Sequence, residues 1–299
     1  MDETDIRLSL LLMKNSRAPY RELASKLDIS LQAVHRRIQL MREMGVIQEF
    51  VTLPTSRALG CVDVFVMGRS TSQAMEETAR ALDRSEFLDG LYVAGGNVVF
   101  VSAVLRDISE LEALTEHVRT AGQVPEPRVG IMAPMHTVSS AAGIAPLTEL
   151  ERRIIRSLHH DSRKSVTDIA EELGISARTV NRHIGRMAKD GLVAFTVLWF
   201  PCGCRDIFSM LSLELRPGLD KNEVLSALRR RHGPKIVFPA AFSNLPNFLL
   251  MLTWSTSPRD LEELQRSIEK EPSVESVMTD ILYCGHACTC WRDRLIDSW

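Results

Sequence analysis

Residues 27–47, LDISLQAVHRRIQLMREMGVI, return with the same spacing at 173–193, LGISARTVNRHIGRMAKDGLV. In the first copy Leu31, Val34, Ile38 and Met41 follow steps of three, four and three residues, which keep returning to one side of an α-helix. Ala177, Val180, Ile184 and Met187 do the same in the second copy, so both stripes are expected to be buried. The opposite stripe carries Gln32, His35, Arg36 and Gln39, flanked by Arg37 and Arg42, and in the second copy Arg178, Asn181, Arg182 and Arg186. These are donors able to reach base edges and phosphates, and no carboxylate interrupts 29–42 or 175–189. Ser30 and Ser176 stand where an N-cap hydroxyl is needed, and Gly45 and Gly191 where a helix end must turn through positive φ. Each copy therefore reads as the turn and recognition helix of a helix-turn-helix, with double-stranded DNA as the partner.

The repeat extends outward. A shift of 146 residues aligns 5–47 with 151–193 without a gap and leaves Arg7, Leu12, Ser16, Arg17, Ala24, Leu27, Ile29 and Gly45 unchanged, among others. This is an internal duplication. Helices over 5–15 and 21–27 precede the first recognition helix, and three helices in so short a span make a DNA-binding unit. The β-prone runs 47–51 and 193–199 suit a wing. From residue 61 the pattern changes to strand, helix, strand, a turn at Gly95-Gly96-Asn97, strand, helix, strand, and the second half repeats that order from residue 207. The fold class is thus α+β, with two winged-helix or helix-turn-helix domains alternating with two ferredoxin-like βαββαβ domains. The expected boundaries are 1–52, 53–132, a linker at 133–146, 147–199, 200–283, and a Cys/His-containing tail at 284–299. A sheet covered by helices on one face leaves the other to be buried. Two half-sheets of one chain packed as an internal pseudo-dimer would achieve that, and so would a homodimer; the sequence leaves both open.

With 299 residues the chain suits two to four units of about 50–150 residues. Its hydrophobic fraction of 45% and charged fraction of 25% exclude a disordered chain. No apolar run approaches the roughly 20 residues that span a bilayer, and a cytoplasmic protein without a membrane partner is expected. A net charge of −2 argues against a generally basic surface, but a DNA reader needs only local positive charge, which the recognition stretches supply. Five of the six cysteines fall in two clusters, Cys202-Gly203-Cys204 and Cys284-Gly285-His286-Ala287-Cys288-Thr289-Cys290. Thiolate and imidazole ligands so close together suit zinc or iron, or a redox switch, with Cys284, His286, Cys288 and Cys290 as the main ligands and Cys202 and Cys204 as further ones.

The motifs Arg17…Glu22-Leu23-Ala24…Leu27…Ile29-Ser30…Val34…Arg36…Ile38…Met41…Gly45 and Arg163…Ile169-Ala170…Leu173-Gly174-Ile175-Ser176…Val180…Arg182…Ile184…Met187…Gly191, each followed by a βαββαβ module, resemble the Lrp/AsnC (feast/famine) transcriptional regulators in tandem duplicate. The resemblance implies a sequence-specific DNA-binding regulator and a small effector, often an amino acid, near the turn between the second and third sensor strands. That turn maps onto Gly95, Gly96 and Asn97, whereas the equivalent 243–247 lacks the glycines. No nucleophile elbow, phosphate loop or HExxH helix is visible, so no enzyme is expected. The alternative is a siroheme decarboxylase-like enzyme on the same fold.

Overall fold

The computed structural model describes residues 1–133 and 145–299; most of the linker expected at 133–146 lies outside them. The first half runs α1 (Glu3–Lys14), α2 (Tyr20–Leu27), α3 (Leu31–Glu43), β1 (Ile47–Pro54), a single-turn α4 (Ser56–Leu59), β2 (Val62–Arg69), α5 (Met75–Leu82), β3 (Leu88–Ala94), β4 (Val98–Leu105), α6 (Leu111–Thr120) and β5 (Arg128–Ile131). The second half repeats it as α7 (Glu149–Leu158), α8 (Val166–Leu173), α9 (Ala177–Lys189), β6 (Val193–Trp199), β7 (Ile207–Leu215), α10 (Lys221–His232), β8 (Ile236–Ala241), β9 (Phe248–Ser255), α11 (Pro258–Glu269) and β10 (Val274–Ala287), then adds α12 (Trp291–Ser298). The last strand thus reaches four residues into the expected tail, and the tail ends as a helix. Cys290 opens that helix: its backbone N–H donates to Asp293 at 2.9 Å, in a reciprocal cap for which cysteine is an unusual N-terminal residue.

The elements assort into two compact units, each built from both halves of the chain. One contains the βαββαβ modules, residues 62–133 and 201–288, together with residues 1–6. Its eight strands form one sheet in the order β5-β2-β4-β3-β10-β7-β9-β8. The half-sheets are continuous through the antiparallel β3–β10 pair. At the opposite edges Met132 bridges Phe242, and the Ala133 N–H donates to the Ala241 carbonyl at 2.8 Å, so the sheet closes on itself. Each half keeps a core under its own helices, Val64, Leu91 and Val101 with Leu82 and Leu114 in one, Leu211, Leu213 and Leu249 with Leu228 and Leu264 in the other. The helix-free faces enclose a shared interior in which the Phe65 ring lies 6.3 Å from those of Phe100 and Phe242, and Phe242 lies 5.9 Å from Phe248. Gly130 permits that contact, since a Cβ there would come within 2.6 Å of the Phe242 ring. Of the two ways left open for burying this face, the single chain supplies the internal one.

The other unit contains both helix-turn-helix segments, residues 7–61 and 145–200, with the end of the chain, 289–299. Its halves join through an antiparallel β1–β6 pair running from Ile47 opposite Trp199 to Pro54 opposite Val193. A reciprocal clasp adds to this ribbon. The Ser16 and Ser162 hydroxyls share a hydrogen bond of 2.6 Å. Arg17 donates to the carbonyls of Ser162 and Lys164, and Arg163 donates to those of Ser16 and Ala18. Arg163 also lies over the Tyr20 ring, 4.1 Å from its centroid. Burial pushes the Arg17 guanidinium down, and the Arg163 charge beside it acts in the same direction. Both arginines belong to the repeated motif, so one sequence element written twice holds its two copies together.

Candidate nucleic-acid interface

The recognition helices are α3 and α9. Ser30 caps the first, its hydroxyl accepting from the Ala33 N–H at 3.1 Å, and Ser176 caps the second, accepting from Thr179 at 3.1 Å. Both end at the expected glycines, Gly45 at φ +72° and Gly191 at φ +63°. Val34, Ile38 and Met41 are buried, as are Val180 and Met187. Leu31 and Ala177 are not: they occupy the first position after the cap, and both are exposed. Ile184 is half-buried. The buried stripe is therefore one residue shorter at its start than the periodicity suggests.

Gln32, His35, Arg36 and Gln39 are exposed on α3, and Arg37 is half-buried beside them. His35 stands edge-on to Tyr20 with ring centroids 4.4 Å apart, which fixes the imidazole on the helix surface. The Gln39 amide donates to Glu43 at 2.9 Å. On α9 Arg178, Asn181 and Arg182 are exposed. Arg186 departs from the pattern, because its guanidinium reaches the fully buried Glu151 at 3.0 Å and also Asp190 at 3.5 Å. His183 lies 3.2 Å from the same Glu151 carboxylate. Burial pushes the Glu151 carboxyl up, but the Thr148 N–H and hydroxyl, His183 and Arg186 outweigh it and hold it below the usual carboxylate range. Arg186, though exposed, thus pairs with an interior carboxylate of α7, whereas Arg178 and Arg182 are exposed on the face of α9.

The Gly95-Gly96-Asn97 turn is tightly bound by its own module. Arg69 donates to the Gly96 carbonyl, the Asn97 amide donates to Ser72 at 2.8 Å, and Gly96 sits at φ +68° where a Cβ would strike Arg69. Through Arg69 the turn adjoins a half-open cavity of about 260 Å³ on the helix-free side of the sheet, lined also by Arg128, Glu214, Phe248 and Asp280. Arg128 stacks on Phe248 at 3.9 Å and pairs with Glu214 at 2.8 Å. Burial raises the Asp280 carboxyl, with Arg69 opposing.

Among the described residues, the cysteines of the two clusters do not gather into one group of three or more possible ligands. Cys284 and Cys288 pack on the core of the first βαββαβ module, whereas Cys290 caps α12 with its thiol donating to Asp293 at 3.2 Å. Among the described residues, His286 and Cys288 form a group of possible ligand atoms with Asp83. Burial raises the Cys204 thiol, and the Cys202 side chain lies outside those described.

A family model described as winged helix-turn-helix DNA-binding matches residues 1–48 and again 147–194, the two segments that carry these helices. The fold and the repeated faces define a duplicated winged-helix DNA-binding protein. The HTH-type transcriptional regulator Rv2324 of Mycobacterium tuberculosis is 30% identical over 129 residues, covering 42% of this chain and 86% of the relative. The regulator LrpA of Pyrococcus horikoshii is 30% identical over 105 residues, covering 35% and 74%. The chain belongs to the Lrp/AsnC family of helix-turn-helix transcriptional regulators and carries its plan twice.

A solved siroheme decarboxylase, NirDL, has the same fold over 99% of this chain and 98% of its own, with a TM-score of 0.63 and 14% sequence identity. This corrects the expectation that no enzyme is involved: the full duplicated architecture is one on which an enzyme is built, and the lack of familiar catalytic motifs does not exclude one. Among the described residues no helix is long and apolar enough to cross a membrane.

Proposed function

We propose that this chain regulates transcription by sequence-specific binding to double-stranded DNA, one polypeptide supplying both reading helices in the cytoplasm. The observation that carries the reading is the pair of capped, acid-free helix faces held in one unit by the β1–β6 ribbon and the Ser16–Arg17/Ser162–Arg163 clasp. The two faces differ, Gln32, His35 and Arg36 against Arg178, Asn181 and Arg182, so the operator has two unlike half-sites instead of a palindrome. Arg36, Arg178 and Arg182 are the leading base or phosphate contacts. A small zwitterionic effector such as an amino acid suits the cavity beside Gly95–Asn97, where Arg69 meets a carboxylate and Asp280 an ammonium group.

Selection of fragmented genomic DNA by the purified, reduced chain, followed by sequencing of the bound fraction, tests this. Discrete bipartite sites that disappear with Arg36→Ala/Arg182→Ala support it. Retention of the same sites by that variant removes the proposed contacts. Repeating the selection with pooled amino acids, and with Arg69→Gln, tests the effector.

A further inference from the structure

His159 and His160 follow α7, and their surroundings are a second polar cluster that the DNA-binding reading does not use. The His159 ring is almost fully buried, with Nε2 3.3 Å from Asp293 Oδ1 and Nδ1 3.2 Å from Asp297 Oδ1. The His160 ring lies against it, centroids 4.2 Å apart and planes inclined by 35°. Its Nδ1 is 3.0 Å from Glu49 Oε1 on β1, and its Nε2 is 3.7 Å from the same Asp297 oxygen. One nitrogen of each ring is thus occupied by a carboxylate of its own, Asp293 or Glu49, while the other faces Asp297. One ligand atom from each of His159, His160 and Asp297 lies within 4.8 Å of the others.

This is the arrangement a transition-metal ion requires. Bonds of about 2.0–2.2 Å at a tetrahedral centre separate the ligand atoms by about 3.3 Å, and the contacts of 3.2 and 3.7 Å to Asp297 bracket that value. A carboxylate on the far nitrogen of a ligating histidine fixes its tautomer and orientation, which is the relation of Asp293 to His159 and of Glu49 to His160. His160 and Asp297 are more than half exposed, so an ion has access and keeps room for water. Asp293 and Asp297 are four residues apart on α12, on one face of the helix. In the first copy the aligned positions hold Met13 and Lys14, so the cluster is confined to the half that carries α12.

We propose that His159 Nδ1, His160 Nε2 and the Asp297 carboxylate bind a divalent ion of the zinc class, which staples α12 to the end of α7 and to the wing strand β1. The ion is held by two imidazoles and one carboxylate, without thiolate; Cys290 adjoins the site as a hydrogen-bond partner of Asp293.

The test uses the full chain, reduced and stripped with a chelator, titrated calorimetrically with Zn²⁺ and separately with Co²⁺. Micromolar or tighter binding is expected, weakened at least about tenfold by His160→Gln and by Asp297→Asn, and also by the outer-carboxylate variant Asp293→Asn. Cys288→Ser and His286→Gln leave this site unchanged, and the Co²⁺ spectrum lacks a thiolate charge-transfer band. Zinc also slows hydrogen exchange of the α12 amides in the parent chain and not in Asp297→Asn. Absence of micromolar binding to the parent overturns the proposal, because the cluster then holds only a proton. Binding that survives both His160→Gln and Asp297→Asn, or that shows a thiolate band and falls with Cys288→Ser, overturns it as well. Circular dichroism of the two exposed-residue variants establishes that they are folded.

Discussion

The first and second DNA-binding units share a backbone plan, yet α3 and α9 are anchored differently. Helix α3 turns Val34, Ile38 and Met41 inward, with the Ser9 hydroxyl donating to the Met41 sulfur at 3.3 Å beneath it, and Asp5 and Arg37, which align with Glu151 and His183, each have a partner of their own. Helix α9 is tied to α7 through the buried Glu151, which gathers Thr148, His183 and Arg186. The positions aligned with His183 and Arg186 are Arg37 and Leu40 in the first copy. Duplication preserved the caps and the buried methionine while the residues of the outward face, and those at the positions of His183 and Arg186, changed. An exposed arginine on such a helix can therefore be paired with a buried carboxylate, and two copies of one motif need not present the same face.

The largest effect that sharpens this comparison is expected from Arg36→Ala with Arg182→Ala. A good bidentate base contact is worth about 1–3 kcal/mol, so fluorescence anisotropy on a selected site should show the double variant weaker by the sum of two such terms. Each single variant should relax the preference at one half-site; equal relaxation at both by either one breaks the comparison. Next comes the clasp. Arg163→Ala strips the donors from the Ser16 and Ala18 carbonyls, and a loss of about 3 kcal/mol in urea denaturation is expected, with Arg17→Ala giving a similar loss by symmetry.

Glu151→Gln should cost about 2 kcal/mol at neutral pH, a penalty confined to the second unit. The stabilisation from the ionised carboxylate is present above the ordinary Glu value of about 4.3 and is lost as pH falls through the lower folded value. The urea midpoint of the parent should therefore fall in that acid window more steeply than that of Glu151→Gln; parallel curves would show that Glu151 anchors nothing. The smallest effects belong to the shared caps. Ser30→Ala and Ser176→Ala should each cost about 1 kcal/mol, and a marked inequality between them would mean that the two caps are not equivalent.

Much of this was legible because the signals are local. Periodicity of 3.6 residues, a serine before it and a glycine after it locate α3 and α9, and alternation around the Gly95–Asn97 turn locates β3 and β4. Helix α12 was not legible, since its cap is a cysteine and its apolar face is brief. The Arg17–Ser162 and Arg163–Ser16 contacts join residues 145 and 147 positions apart, and His159 meets Asp297 across 138 positions. Nothing in a neighbouring stretch of sequence records such pairs. The Cys284–Cys290 run shows the reverse: neighbours in sequence are divided because Cys284 and Cys288 pack on the first βαββαβ core while Cys290 caps the following helix.

What the sequence determined by itself is the duplication, the order of elements, the two capped helices with their exposed polar faces and the family, because each rests on spacing within a few turns or strands. Tertiary structure alone decided that the chain closes on itself as its own partner, through β3–β10 in the sheet and β1–β6 in the DNA-binding unit. It also decided that Arg186 pairs with the buried Glu151 and that two histidines meet the carboxylates of the last helix. Strand edges and buried charges find their partners through the fold of the whole chain, and those partners lie far away in sequence.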